Sequence, residues 1–124
     1  MNVTVLLILV AGLLPILCAG IAKWGASGYN NHQPRAWLAN QDGFRARADA
    51  AQQNSFEAFP FFALAVVLAD VYEAAPEDIE FWGWAFIALR LIYIFCYVTD
   101  RAAWRSVVWI LGLAVVIRLY ALVL

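Results

Sequence analysis

Several polar side chains lie inside apolar stretches of this sequence, where burying them is costly. Asn54 and Glu57 fall within a stretch from about Phe44 to Ala69, and Arg90 is near the middle of another, from about Phe81 to Val98. In a chain whose apolar stretches cross a bilayer, a central charge costs about 2.5–3.5 kcal/mol on insertion scales. Such a side chain must face protein or a wet cavity, so these residues are candidates for a functional site.

Helical spacing places these residues, and others, on shared faces. At about 100° per residue, the set on the first of these stretches spans only about 80° of the helix circumference. Three sets of residues each lie on one face of their own helix: Arg47, Asn54 and Glu57; Arg90, Tyr93 and Tyr97; and Arg101 and Arg105. Three helices thus each have a polar face, and we expect these faces to meet in a common interior.

Each of these residues also has a purely structural interpretation. Glu57 and Arg90 can form a buried ion pair that fixes helix register, and Asn54 can hydrogen-bond to another helix. The two tyrosines can belong to an interfacial aromatic belt, and the two arginines of the last helix can be topology signals. Taken together, these interpretations leave more positive charge than one glutamate neutralises, which favours an anionic ligand.

A small peptide thiol such as glutathione matches this chemistry. Its two carboxylates require cations, and its amino group requires a carboxylate such as Glu57. Its sulfur reacts as the thiolate, which a neighbouring guanidinium favours, and the hydroxyl of Ser106 or Tyr93 can donate a hydrogen bond to it. The residues permit this ligand without selecting it.

The composition requires a membrane environment for these residues. The chain has 124 residues, 65% apolar and 14% charged, against about 45–50% and about 25% in ordinary soluble domains. Four apolar stretches are long enough to span the hydrocarbon, at about 3–22, 44–69, 81–98 and 104–124. Because lipid offers no partners to backbone groups, the spans must be helices. We predict an all-α, transmembrane four-helix bundle formed by a single domain, residues 1–124.

Charge and cysteine content exclude several classes of partner. The net charge is −1 and no basic cluster is present, so we expect no nucleic acid partner, and we predict no metal site. Cys18 and Cys96 lie inside apolar runs and are expected to be buried thiols. A signal peptide is disfavoured because no basic residue precedes the first apolar run.

The basic residues predict the orientation of the chain in the membrane. They flank the first and third connections, whereas the second connection and the N-terminus have none; the flanking residues are Lys23, Arg35, Arg45, Arg47, Arg101 and Arg105. By the positive-inside rule, loops one and three are cytoplasmic and both termini lie on the opposite side.

At these residues the sequence resembles the MAPEG family (membrane-associated proteins in eicosanoid and glutathione metabolism). The resemblance rests on the run from Arg47 to Pro60, the pattern Arg90-x-x-Tyr93-x-x-x-Tyr97, and the run from Arg101 to Ser106. Tyr29-Asn30-Asn31 and Pro34-Arg35 in the first connection are similar to bacterial members, which implies the bacterial inner membrane. The ordered combination across three spans is more specific than any one piece.

The resemblance implies a homotrimer that binds glutathione between neighbouring subunits near the cytoplasmic side. Asn54 and Glu57 would hold the backbone and γ-glutamyl end of glutathione, Gln52 is a further contact in some members, and the two tyrosines would line the pocket. Arg105 would stabilise the thiolate, and Ser106 matches the adjacent hydroxyl of the prostaglandin E synthase type. The remaining arginines, which would add positive charge, are Arg47, Arg90 and Arg101. The implied function is a glutathione-dependent transferase or peroxidase acting on lipophilic electrophiles in the membrane.

Two alternatives remain open at this point. Many catalytic members have Arg where this chain has Ala50, and a lipid-binding member of the family also lacks that arginine, although it has Asp in place of Glu57. The chain can therefore be a non-catalytic lipid-binding protein with the same assembly. A small proton-coupled multidrug exporter is also of this length, but it carries its glutamate in the first helix, and here the first span has no charge.

Overall fold

Helices account for nearly all of the chain in the computed structural model, which describes residues 2–124. Within that range there is no β-strand, and the helices are α1 (Val3–Lys23), α2 (Pro34–Ala39), α3 (Gly43–Val71), α4 (Pro76–Val98) and α5 (Ala102–Ala121). All but α2 are long and apolar enough to cross a membrane. The predicted all-α four-helix membrane bundle is confirmed.

The ends of the long helices follow rules other than hydropathy. Helix α4 begins at Pro76, earlier than the apolar stretch that starts at Phe81, because proline is favoured in the first helical turn. Glu77 and Asp78 follow in the same turn, where negative charge complements the helix dipole. At the other end of the chain, α5 stops at Ala121, short of residue 124. The apolar stretches therefore predict that the helices exist, but not the residues at which they begin and end.

The first connection contains the short helix α2, which hydropathy did not indicate. Gln33 is non-helical (φ −138°), as expected before a proline, and Pro34 then begins the helix. Leu38 is the one buried residue of α2 and packs with Ala22 of α1 and Ala48 of α3. A helix with a single buried anchor has no apolar periodicity from which to predict it.

The bundle core lies in two layers. Helix α1 packs on α3 and α4, and α5 packs on α4 and α3. The larger layer is built around Phe62, whose ring stacks on Phe86 with centroids 4.1 Å apart, and it also contains Leu7 and Leu119. The second layer surrounds Cys18 and has neighbours on α3, α4 and α5, among them the predicted site residue Tyr93. Both cysteines are free and buried, as predicted.

One hydrogen bond fixes the relative depth of the polar residues on α3 and α4. Arg47 Nε donates to the carbonyl of Val98 at 3.1 Å, so residue 47 of α3 is level with the end of α4. At 1.5 Å per residue, Asn54 and Glu57 then lie about 10 and about 15 Å deeper, and Arg90 lies about 12 Å deeper. The polar residues of the two helices therefore share one depth.

Candidate functional site

Two cavities between α3, α4 and α5 are lined by most of the predicted site residues. The first, of about 200 Å³, is bounded by Glu57 and Arg90. The second, of about 220 Å³, is bounded by Tyr93, Arg105 and Ser106. Asn54 and Trp109 line both cavities, so the two spaces adjoin. Each is smaller than a typical ligand site of about 300–1,000 Å³, and a ligand of tripeptide size would have to occupy both.

Asn54, at the junction of the cavities, has a side-chain oxygen without a partner. Within residues 2–124 its Oδ1 is buried and accepts no hydrogen bond. An unsatisfied buried acceptor costs about 1–3 kcal/mol. A ligand that supplies an N–H or O–H donor at this point would remove that cost.

Arg90 is a buried cation held by a neighbouring hydroxyl and a ring. Its side chain is 4% exposed, and its Nη2 donates to Ser55 Oγ at 3.2 Å. Ser55 Oγ in turn donates to the carbonyl of Ala51 at 2.8 Å, which leaves a lone pair for the guanidinium. The guanidinium has five N–H donors in all, so several remain to face the first cavity. Arg90 and Glu57 line this cavity together, but an ion pair between them is not among the contacts of the described chain.

A series of stacked cations and rings connects the two cavities. The Arg90 guanidinium lies 4.2 Å from the ring centroid of Tyr93, Tyr93 meets Tyr97 edge-on at 5.7 Å, and the Arg105 guanidinium lies 4.3 Å from the ring of Tyr97. Each cation–ring contact stabilises by about 0.5–2 kcal/mol. Tyr97 itself lines neither cavity and instead contacts Arg105 at the wall of the second cavity.

Glu57 lies on the outer surface of the single bundle, in the middle of α3. A carboxylate at this depth must be covered by protein or by a wet cavity. A single copy of the chain leaves this side of the first cavity open.

Besides Tyr97, three of the predicted site residues line neither cavity. Arg47 binds the carbonyl of Val98 at the end of α4. Arg101 is exposed before α5, with its guanidinium 5.7 Å from the ring of Phe95. Gln52 is half-buried on α3, and like the two arginines it lines neither of the two cavities.

Two residues of the site were missed by the sequence interpretation. Ser55 lies inside the run from Arg47 to Pro60, but only the register of α3 against α4 shows that its hydroxyl meets Arg90. Trp109, which lines both cavities, was not among the site residues singled out from the sequence. Its spacing from Arg105 places both on one face of α5, a signal that helical counting would have found.

Comparison with known proteins identifies the family. The model of the MAPEG family matches residues 3–124, which is essentially the whole chain. No curated protein and no solved structure matches the chain. The family match agrees with the resemblance seen at the polar residues and leaves no place for the exporter alternative. The chain belongs to the MAPEG family.

Proposed function

We propose that this protein is a glutathione-dependent transferase or peroxidase of lipophilic electrophiles in the membrane. Membership of the MAPEG family supports a glutathione-related role of this kind at the family level. The observation that carries the proposal is the unpartnered Oδ1 of Asn54, set between a cavity with Glu57 and Arg90 and a cavity with Arg105.

The residues around the two cavities match the groups of glutathione. Glu57 would receive the amino group, Arg90 one of the two carboxylates, and Asn54 Oδ1 an amide N–H. The thiol would then lie in the second cavity with Arg105 and Ser106. Arg90 and Arg105 line the site, so the cavities contain cations despite Ala50.

The proposed chemistry begins with loss of the thiol proton beside Arg105, since a guanidinium favours the thiolate. In conjugation, the sulfur forms a C–S bond with the electrophilic carbon, and the leaving group departs with its electron pair. With a hydroperoxide, the sulfur attacks the terminal oxygen and the O–O bond breaks to release the alcohol. A second glutathione then reduces the resulting sulfenic acid, giving glutathione disulfide and water. Asn54 and Glu57 contribute orientation more than chemistry.

A lipophilic substrate would reach the sulfur from the lipid. The first cavity has apolar walls beside its polar residues, formed by Ala58, Phe61, Phe86, Val108, Leu113 and Val116. Apolar walls with a few convergent polar groups are typical of small-molecule sites.

We further propose that the working unit is a homotrimer with one site at each subunit boundary. Outward-facing Glu57 supports this, because a neighbouring subunit would cover it and complete the first cavity. The resemblance of the first connection to bacterial members supports a location in the bacterial inner membrane, and the charge pattern supports loops one and three in the cytoplasm.

A difference spectrum near the thiolate absorbance tests the proposal on detergent-purified protein mixed with glutathione. We expect a thiolate band with the wild type and its loss in Arg105→Ala. Arg118→Ala is the matched control, because this arginine lies in the last turn of α5, away from both cavities. Absence of binding in the wild type would overturn the enzyme proposal, and an unchanged band in Arg105→Ala would overturn the role of Arg105.

The second candidate is a non-catalytic lipid-binding protein of the same family. Ala50, in place of the arginine of many catalytic members, favours it. The two candidates share the assembly and differ in glutathione binding and turnover.

A further inference from the structure

A third cavity lies away from the proposed glutathione site, at the end of the bundle where α1 ends and α3 begins. It has a volume of about 560 Å³ and is lined by apolar residues: Leu17, Gly20, Ile21, Trp24, Phe44 and Val98. We call it the α1–α3 crevice. Trp24 is 81% exposed at its mouth, a position typical of the membrane–water interface.

The crevice is long enough to hold part of an acyl chain. From Trp24 to Leu17 it follows α1 for about 10 Å, at 1.5 Å per residue. One leaflet of the hydrocarbon is about 15 Å thick, half of the about 30 Å of a bilayer. Gly20 borders open space in the crevice, since a Cβ at this position would meet nothing within 4 Å.

Three cations lie around the mouth, and each is adjacent to, or contacts, a residue that lines or flanks the crevice. Lys23 directly precedes Trp24 and lies 5.0 Å from the ring of Tyr29. Arg45 lies over the Phe44 ring at 4.8 Å and donates from Nη1 to the carbonyl of Ala22 at 2.9 Å. Arg47 donates to the carbonyl of Val98.

The partners of these cations leave their charge uncompensated. In the part of the chain that the structure describes, their recorded contacts are carbonyl oxygens and aromatic rings rather than carboxylates. A hydrogen bond to a backbone carbonyl fixes the position of a guanidinium without neutralising its charge. An apolar slot with fixed positive charge at its mouth complements a molecule with an apolar chain and an anionic head.

We propose that the α1–α3 crevice is a binding site for an anionic phospholipid, with one acyl chain in the slot and the phosphate head beside Lys23 and Arg45. Basic pockets between transmembrane helices bind anionic head groups for the same electrostatic reason. The site is separate from the proposed glutathione cavities and does not depend on glutathione binding.

Native mass spectrometry of the full-length protein in neutral detergent tests the site, with phosphatidylglycerol and phosphatidylcholine as the two probes. Each cation near a membrane surface favours an anionic lipid by about fivefold, so Lys23 and Arg45 together give a preference of about 25-fold. We expect Lys23→Gln/Arg45→Gln to lower the preference for phosphatidylglycerol over phosphatidylcholine by about 25-fold. Arg35→Gln, which removes an exposed cation of α2 in the same connection, should retain the preference.

A second variant tests the slot without changing charge. Gly20→Leu places a side chain in open space inside the crevice, so the bundle should fold normally while both lipids lose binding. Equal binding of the two lipids by the wild type would overturn the proposal. Loss of the preference for phosphatidylglycerol to the same extent in Arg35→Gln and in the double variant would also overturn it, as would unchanged lipid binding by Gly20→Leu. A disulfide between two copies of Gly20→Cys would overturn it too, because it would show that a second chain fills the crevice.

Discussion

At the scale of single residues, Asn54 shows most clearly how a group that would serve ligand binding can lower the stability of the free chain. Its Oδ1 is buried without a donor in residues 2–124, a state that folded proteins normally avoid. Such exceptions are expected at functional sites, where a ligand supplies the missing partner. The structure of the free chain is therefore less favourable at Asn54 than that of a glutathione complex would be.

Replacing Asn54 should separate stability from binding. We expect Asn54→Leu to leave the melting temperature without glutathione unchanged or raised, because the unsatisfied oxygen is removed. The affinity for glutathione should fall by about 5- to 150-fold, the equivalent of about 1–3 kcal/mol. Asn40→Ala is the control, since Asn40 is exposed and bonds within its own helix turn. A strongly lowered melting temperature in Asn54→Leu, with affinity intact, would indicate a structural role instead.

Ser55 has the opposite relation to stability, because its hydroxyl accepts from the buried Arg90. Ser55→Ala leaves part of that guanidinium without its acceptor, and we expect the free energy of unfolding to fall by about 1–3 kcal/mol. Unfolding by sodium dodecyl sulfate in mixed micelles measures it. Thr99→Ala serves for comparison: its exposed hydroxyl donates to the carbonyl of Phe95, and little change is expected. Equal effects of the two variants would contradict this account of Arg90.

At the scale of helices, Gly83 allows α4 to approach α1 closely. A Cβ at this position would overlap Leu7, coming within 2.9 Å of Cδ2 and closer still to Cδ1, and Leu7 is fully buried. Gly83→Ala should therefore destabilise the bundle by about 1–3 kcal/mol through overpacking. Leu7→Ala should cost less in the Gly83→Ala background than in the wild type, because it removes the methyl groups that overlap the new Cβ, so the two effects should not be additive. In contrast, Gly112→Ala meets no atom within 4 Å and should be tolerated; equal losses at the two glycines would refute this explanation.

The helices also show how far the sequence could predict this molecule. Apolar length was enough for the four spans, but it missed Pro76–Glu80, which is helical outside the apolar stretch, and it missed α2. In the site, charge inside a span was a sufficient signal for Glu57 and Arg90. The partner of Arg47 could not be predicted, because a bond to the carbonyl of Val98 depends on the register between two helices.

At the scale of the whole molecule, the position of Glu57 indicates that one bundle is incomplete. An acid exposed at mid-span is expensive in lipid, and a neighbouring copy would cover it. We expect native mass spectrometry of the wild type to show three chains per particle. Glutathione should stabilise that particle, by about 2.7 kcal/mol at 100 times its Kd.

Two variants separate the role of Glu57 from a general effect of charge. Glu57→Gln should retain the trimer but weaken the stabilisation by glutathione, since the amide oxygen can still accept a hydrogen bond from the amino group but no longer offsets its charge. Glu77→Gln, at the exposed start of α4, should behave like the wild type. Single chains in the wild-type preparation would contradict the assembly proposed here.

The central claim is that this MAPEG chain binds glutathione at the junction of the two cavities around Asn54. Equilibrium dialysis of radiolabelled glutathione against the purified wild type measures this directly, before any question of turnover or substrate. We expect saturable binding of one glutathione per chain, displaced by an S-alkyl glutathione. Binding that does not saturate, or is absent, would contradict it and leave the lipid-binding alternative as the function of this fold.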